Sequence, residues 1–143
     1  VRVSWRERWA SQPTWAKWVL AGYLIGFADG TGAHIRDLAR DGLHAYAFAP
    51  AGVQVFFVGL VLLDPLVFVL VLWMRPAGAG LAAAIMAADM ATNWYVNWSA
   101  APEYRARFLP PAGLVPITVF GLFVLISFIP LRRSFSASIA QCR

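Results

Sequence analysis

The chain has 143 residues, 60% of them apolar and only 13% charged, with a mean hydropathy of +0.63, whereas soluble domains run at about 45–50% apolar and about 25% charged. That composition, with a single cysteine (Cys142), excludes a water-soluble enzyme, a disordered tail and a disulfide scaffold. The formal net charge of +5 does not indicate nucleic acid as a partner, because the basic residues border apolar runs and form no contiguous face.

Residues 1–14 are basic and tryptophan-rich, as expected of a cytoplasmic leader lying among lipid headgroups. Four apolar segments follow, at about residues 15–33, 53–73, 79–98 and 114–131. Each approaches the ~20 residues that cross ~30 Å of hydrocarbon. With no water inside a bilayer the backbone must satisfy itself, so the segments are expected to be helices. The expected fold is all-α, a polytopic four-helix membrane bundle forming a single domain over residues 1–143. Asp29 interrupts the first segment late. The second contains one charge, Asp64, followed by Pro65. The third carries Asp89, and the fourth has Pro116 in its first turn, where proline is tolerated. The first apolar run is long, contains Asp29 and lacks a small-residue cleavage site directly after it, so it reads as a retained span and not a signal peptide.

Orientation follows from Lys and Arg. With the N-terminus inside, Arg2, Arg6, Arg8, Lys17, Arg75, Arg132, Arg133 and Arg143 face the cytoplasm and Arg36, Arg40, Arg105 and Arg107 face the other side, eight against four. Both termini are then cytoplasmic, in a bacterial-type inner membrane. Trp15, Trp18 and Trp73 fall at the inner boundary and Tyr95 and Trp98 at the outer one. The short connection at Arg75-Pro76 makes the second and third helices an antiparallel hairpin, and Pro110-Pro111 stands before the fourth.

Gly22, Gly26 and Gly30 place a small residue at every fourth position of the first helix, and Ala83, Ala87 and Ala91 do the same in the third. Lipid removes the hydrophobic drive between helices, and close backbone approach replaces it. The first and third helices are therefore expected to touch along these seams. A homodimer through the same glycines is the rival reading.

An acidic side chain in the bilayer core costs at least ~2.5 kcal/mol on insertion scales, so Asp64 and Asp89 need a reason. Counted from Arg75 at ~1.5 Å per residue, their depths differ by only ~4–5 Å. Both fall near the midplane, and no Lys, Arg or His is expected at that depth. From Asp89, Asn93 and Asn97 follow on one helical face, with Met90 and Trp94 beside them. Asp29 lies in the outer half of the first helix. The expected ligand-binding set is Asp29, Asp64, Asp89, Met90, Asn93, Trp94 and Asn97, lining an outward-facing cavity for an amphipathic or lipid-like molecule. Other readings stay open: polar residues that merely glue the bundle, Asp64-Pro65 adjusting a kink, an accessory or assembly subunit of a larger membrane complex, and a proton- or cation-coupled carrier working as an oligomer.

In the first outer loop His34, Asp37, Asp41 and His44 share one helical face, with Ile35, Leu38 and Leu43 opposite. One reading is a short amphipathic helix on the outer surface, flanked by Arg36 and Arg40. The other is a zinc or iron site, although Gly42 weakens the helix and no metal motif matches. The chain has no Ser-His-Asp order, P-loop, dinucleotide fingerprint or HExxH, so no motif speaks for an enzyme, and that reading stays open without specific support. Arg132-Arg133 anchors the inner end and can meet anionic lipid.

By layout, the chain resembles the EXPERA family, which includes the sigma-2 receptor and the emopamil-binding sterol isomerase. The matching features are Asp29 near the outer end of the first helix, a long loop, Pro50-Ala51-Gly52 leading into the second, Val61-Leu62-Leu63-Asp64-Pro65 within it, and Asp89-Met90-Ala91-Thr92-Asn93 mid-helix in the third. The resemblance covers most of the four spans. It implies an intramembrane site for sterols or amphipathic amines, with Asp29 and the 89–93 stretch as the positions carried over. Gly59-Leu60 stands where the family has a Glu, and the isomerase's His and Glu set is not recognisable. The resemblance therefore implies ligand binding and not isomerisation.

Overall fold

The computed structural model describes residues 4–98 and 114–141, and no strand occurs among them. Arg2, Arg105, Arg107, Pro110-Pro111, Cys142 and Arg143 lie outside the described residues, as does the side chain of Trp98. The helices are α1 (Trp5–Ala10), α2 (Thr14–Asp41), α3 (Ala51–Leu72), α4 (Pro76–Trp98) and α5 (Leu114–Gln141), with a 3-10 turn at Gly42–His44.

The basic leader contains a helix of its own. Ser4 and Glu7 form a reciprocal capping box, which satisfies two donors that the first turn would otherwise orphan. Trp5 stacks on Trp9 at 5.7 Å, and Lys17 lies over the Trp9 ring. The indole of Trp5 donates to Leu72 O at 2.8 Å and the guanidinium of Arg8 to Met74 O at 2.7 Å. In this way α1 covers carbonyls that the end of α3 leaves without helical partners. The α3–α4 connection is as short as expected. Met74 takes a left-handed φ of 50° there, and Gly78 sits where a Cβ would come within 2.8 Å of Leu70 Cβ.

The outer helices run further than the apolar segments that announce them. No breaker follows Ala33, so α2 continues through His34, Asp37 and Asp41. The separate amphipathic helix expected in the first outer loop is thus the last two turns of α2. The helix stops at Gly42, whose φ of 60° and N–H bond to Leu38 O close the end, the task glycine performs without steric cost. At the other end α5 continues past residue 131 despite Pro130. Leu131, Phe135 and Ser138 turn inward there while Arg132, Arg133 and Ser136 turn out, a helical period.

The four long helices form a ring in which α2 packs on α3, α3 on α4, α4 on α5 and α5 back on α2. The expected seam between the first and third long helices is not formed. Phe123 and Phe120 of α5 occupy the grooves at Gly22 and Gly26, and Asp64 of α3 lies at Gly30. Ala87 and Ala91 are exposed. Large aromatic rings fill a glycine groove better than alanine methyls can, so the ring partner wins. Tyr23 clasps the same junction, donating to Val124 O at 2.9 Å and packing edge-on against Phe123.

Much of the outer surface is apolar: Trp18, Ile25, Val55, Leu62 and Ile126 are between 71% and 77% exposed. Among the described residues two helices, α3 and the Leu114–Ala140 stretch of α5, are long and apolar enough to cross a membrane.

Candidate functional site

Asp64 and Asp89 are buried, at 6% and 8% exposure, on the adjacent helices α3 and α4. The two carboxylates lie within electrostatic reach of each other. Gly30 makes room for the first of them, since a Cβ there would stand 2.8 Å from Asp64 Oδ2. One turn later on α2, His34 places Nε2 3.9 Å from the same oxygen. A histidine does therefore reach the depth of the acids, contrary to expectation. The reason is the continuity of α2. Helical side chains lean toward the N-terminus, so an imidazole one turn beyond Gly30 comes down over the gap the glycine leaves.

Tyr46, from the segment between α2 and α3, completes the cluster. Its hydroxyl donates to Asp37 Oδ2 at 3.0 Å and lies 2.8 Å from His34 Nδ1. A phenol has one proton, so Nδ1 must carry the hydrogen of the second bond. A neutral His34 then presents the Nε2 lone pair to Asp64. Burial, reinforced by Asp37, pushes the Tyr46 phenol up, and Asp89 also acts on it.

On α4, the Asn93 amide donates to both Asp89 O and Asp89 Oδ1 at 2.9 Å, and Asn97 donates to Asn93 O at 2.8 Å. The other expected members lie elsewhere. Asp29 is exposed, because the residue preceding Gly30 points about 100° away around the helix. Met90 packs toward Gly121 of α5. Trp94 donates to Thr118 Oγ1 at 2.8 Å, which makes it a latch between α4 and α5. The structure thus joins Asp64, Asp89 and Asn93, adds His34 and Tyr46, and leaves Asp29, Met90 and Trp94 outside.

Among the described residues no three His, Cys, Asp or Glu side chains are grouped as a metal site requires. The expected zinc or iron set of His34, Asp37, Asp41 and His44 is not assembled. His34 and Asp37 are instead bridged by Tyr46, while Asp41 and His44 are exposed.

Tyr46 is the residue that sequence reasoning missed. A lone phenol in the Ala45-Tyr46-Ala47-Phe48 stretch reads as an interfacial aromatic, and only the chain reversal after α2 turns it inward. No protein-family model, curated protein or solved structure matches the chain.

Proposed function

We propose that the chain is a four-span membrane protein of a bacterial-type inner membrane, with both termini cytoplasmic, that binds an amphipathic molecule bearing a cationic group beside Asp64 and Asp89. The membrane part rests on the two long apolar helices, on the outward-turned large apolar side chains and on the bias of Lys and Arg toward one end. The spans of α2 and α4 are the less apolar pair, because α2 carries Lys17 and Asp29 and α4 is rich in glycine and alanine.

One observation carries the binding part: two buried carboxylates on adjacent helices have a single ionisable base near them among the described residues, His34 at 3.9 Å. A surplus of acid in a medium of low dielectric suits a protonated amine, which would supply the missing positive charge. The resemblance to the EXPERA family points the same way through the Asp89–Asn93 stretch. Asp29 is set aside because it is exposed.

The test compares a long-chain tertiary amine with the alcohol of equal chain length, each added to the purified protein in detergent. The amine is expected to raise the unfolding temperature and the alcohol not, with the effect lost in Asp64→Asn and Asp89→Asn. Equal stabilisation by both compounds, or a full amine response in both variants, overturns the reading. A second reading, a proton-coupled carrier, is favoured by the string Asp64–His34–Tyr46–Asp37, which leads from buried acid to the half-buried Asp37. It requires proton uptake into vesicles that Tyr46→Phe slows and Asp64→Asn abolishes.

A further inference from the structure

Asp64 and His34 confront each other as two acceptors. The Asp64 side chain is 8% exposed and takes no hydrogen bond from any described residue. Asp89 differs, because the Asn93 amide donates to its Oδ1. Of the two buried acids, then, Asp64 is the one without a donor. On α2, the Nδ1–H of His34 is committed to the Tyr46 oxygen, since the single phenol proton goes to Asp37 Oδ2. This leaves Nε2 as a bare lone pair 3.9 Å from Asp64 Oδ2. An imidazolium N–H bonded to a carboxylate closes to about 2.7–2.9 Å, so the pair stands too far apart to be joined directly.

A buried acceptor without a donor is costly, and here two stand across one gap. A proton on either atom does not bridge it, because a hydrogen bond at that separation is lost. One nitrogen placed about 2.9 Å from both atoms does bridge it, provided that it carries two hydrogens. Neither acceptor is sealed in: the His34 and Asp64 side chains keep 16% and 8% of their surface, and the fully enclosed orphan atoms among the described residues belong to other side chains. We infer that the cation taken at this site is a primary or secondary ammonium, its nitrogen held between Asp64 Oδ2 and His34 Nε2 by two N–H bonds. The inference rests on the amine-binding reading above and narrows its ligand. A tertiary ammonium has one N–H and serves Asp64 alone, and an alcohol brings no charge to the acids.

The test uses dodecylamine, N-methyldodecylamine and N,N-dimethyldodecylamine, whose ammonium forms share one chain and carry three, two and one N–H. Each is titrated into the purified full chain in detergent, and affinity is read from the rise of the unfolding temperature with concentration. The first two are expected to bind about tenfold more tightly than the third, the size of one added charge-assisted bond. His34→Phe keeps a ring but removes the lone pair, and it should bring all three amines to the parent's affinity for the dimethyl compound. Equal affinities in the parent, or tighter binding of the dimethyl compound, overturn the inference. That comparison needs no variant, so it decides the matter even if His34→Phe does not fold. A preference for the primary amine that persists undiminished in His34→Phe overturns it as well. If all three amines stabilise the parent equally and Asp64→Asn abolishes the response, the amine site stands and the pairing with His34 fails. If no amine outdoes dodecanol, the amine site and this inference fall together.

Discussion

Gly30 matters because of what it lacks. Its missing side chain leaves the space in which Asp64 Oδ2 sits, 2.8 Å from where a Cβ would be. Gly30→Ala is therefore expected to destabilise the bundle by about 1–3 kcal/mol, the usual cost of overpacking. Gly32→Ala, whose Cβ would meet nothing nearer than the end of Arg36 at 3.9 Å, should be neutral or stabilising, because alanine is the better helix former by about 0.5–1 kcal/mol. Thermal unfolding of both variants in detergent checks the contrast, and equal effects would mean that Asp64 is not seated at Gly30. His34 holds two partners at once, the Tyr46 hydroxyl at 2.8 Å and Asp64 Oδ2 at 3.9 Å. His34→Phe removes both and is expected to lower stability by about 1–3 kcal/mol, the cost of leaving buried polar groups unpaired, and an unchanged unfolding temperature would contradict the bond to Tyr46.

The elements show which local signals survive packing. The glycine spacing of α2 correctly announced a close helix contact but not the partner, because a groove accepts whatever ring the neighbouring helix inserts. Phe120 and Phe123 of α5 fill it, and Phe120 also meets Phe27 edge-on at 5.6 Å. Gly26→Ala should cost about 1–3 kcal/mol, and Phe120→Leu in the same chain should recover part of it. A double-mutant cycle is expected to give a coupling of about 0.5–3 kcal/mol. Ala87→Leu, at an exposed position, should change stability little, whereas a seam between α2 and α4 would make it the damaging substitution. Helix ends were the least legible feature. Apolar composition marks the apolar part of each helix, but α2 runs on past it and stops only where backbone geometry stops it, at Gly42.

At the scale of the whole molecule, the ring of helices buries an apolar core that includes Tyr23, Phe27, Leu60 and Val67, encloses Asp64, Asp89 and Ser127 within it, and also leaves many large apolar side chains exposed. The topology proposed from Lys and Arg makes a direct prediction. In a Cys142→Ser background, an impermeant thiol reagent applied to intact spheroplasts should label Leu43→Cys, in the turn after α2, and spare Arg75→Cys, in the α3–α4 connection. Labelling of both, or the reverse pattern, would break the four-span arrangement. The two ends of the bundle differ in chemistry as well: a His-Tyr-Asp cluster reaches toward the α2–α3 end, and a basic, serine-lined cavity lies at the other.

Sequence alone determined the all-helical character, the short α3–α4 connection, the asparagine ladder from Asp89 along one face of α4 and the placing of the two acids on adjacent helices. All of these follow from properties local to one stretch of chain: apolar run length, residue spacing and rise per residue. Only the tertiary structure decided what those acids face. A helix such as α3, apolar nearly all round, does not encode its own rotation. Whether Asp64 meets His34, Asn93 or lipid depends on how α2 and α4 are turned against it, and that turning is set by contacts as distant in sequence as Gly26 with Phe120.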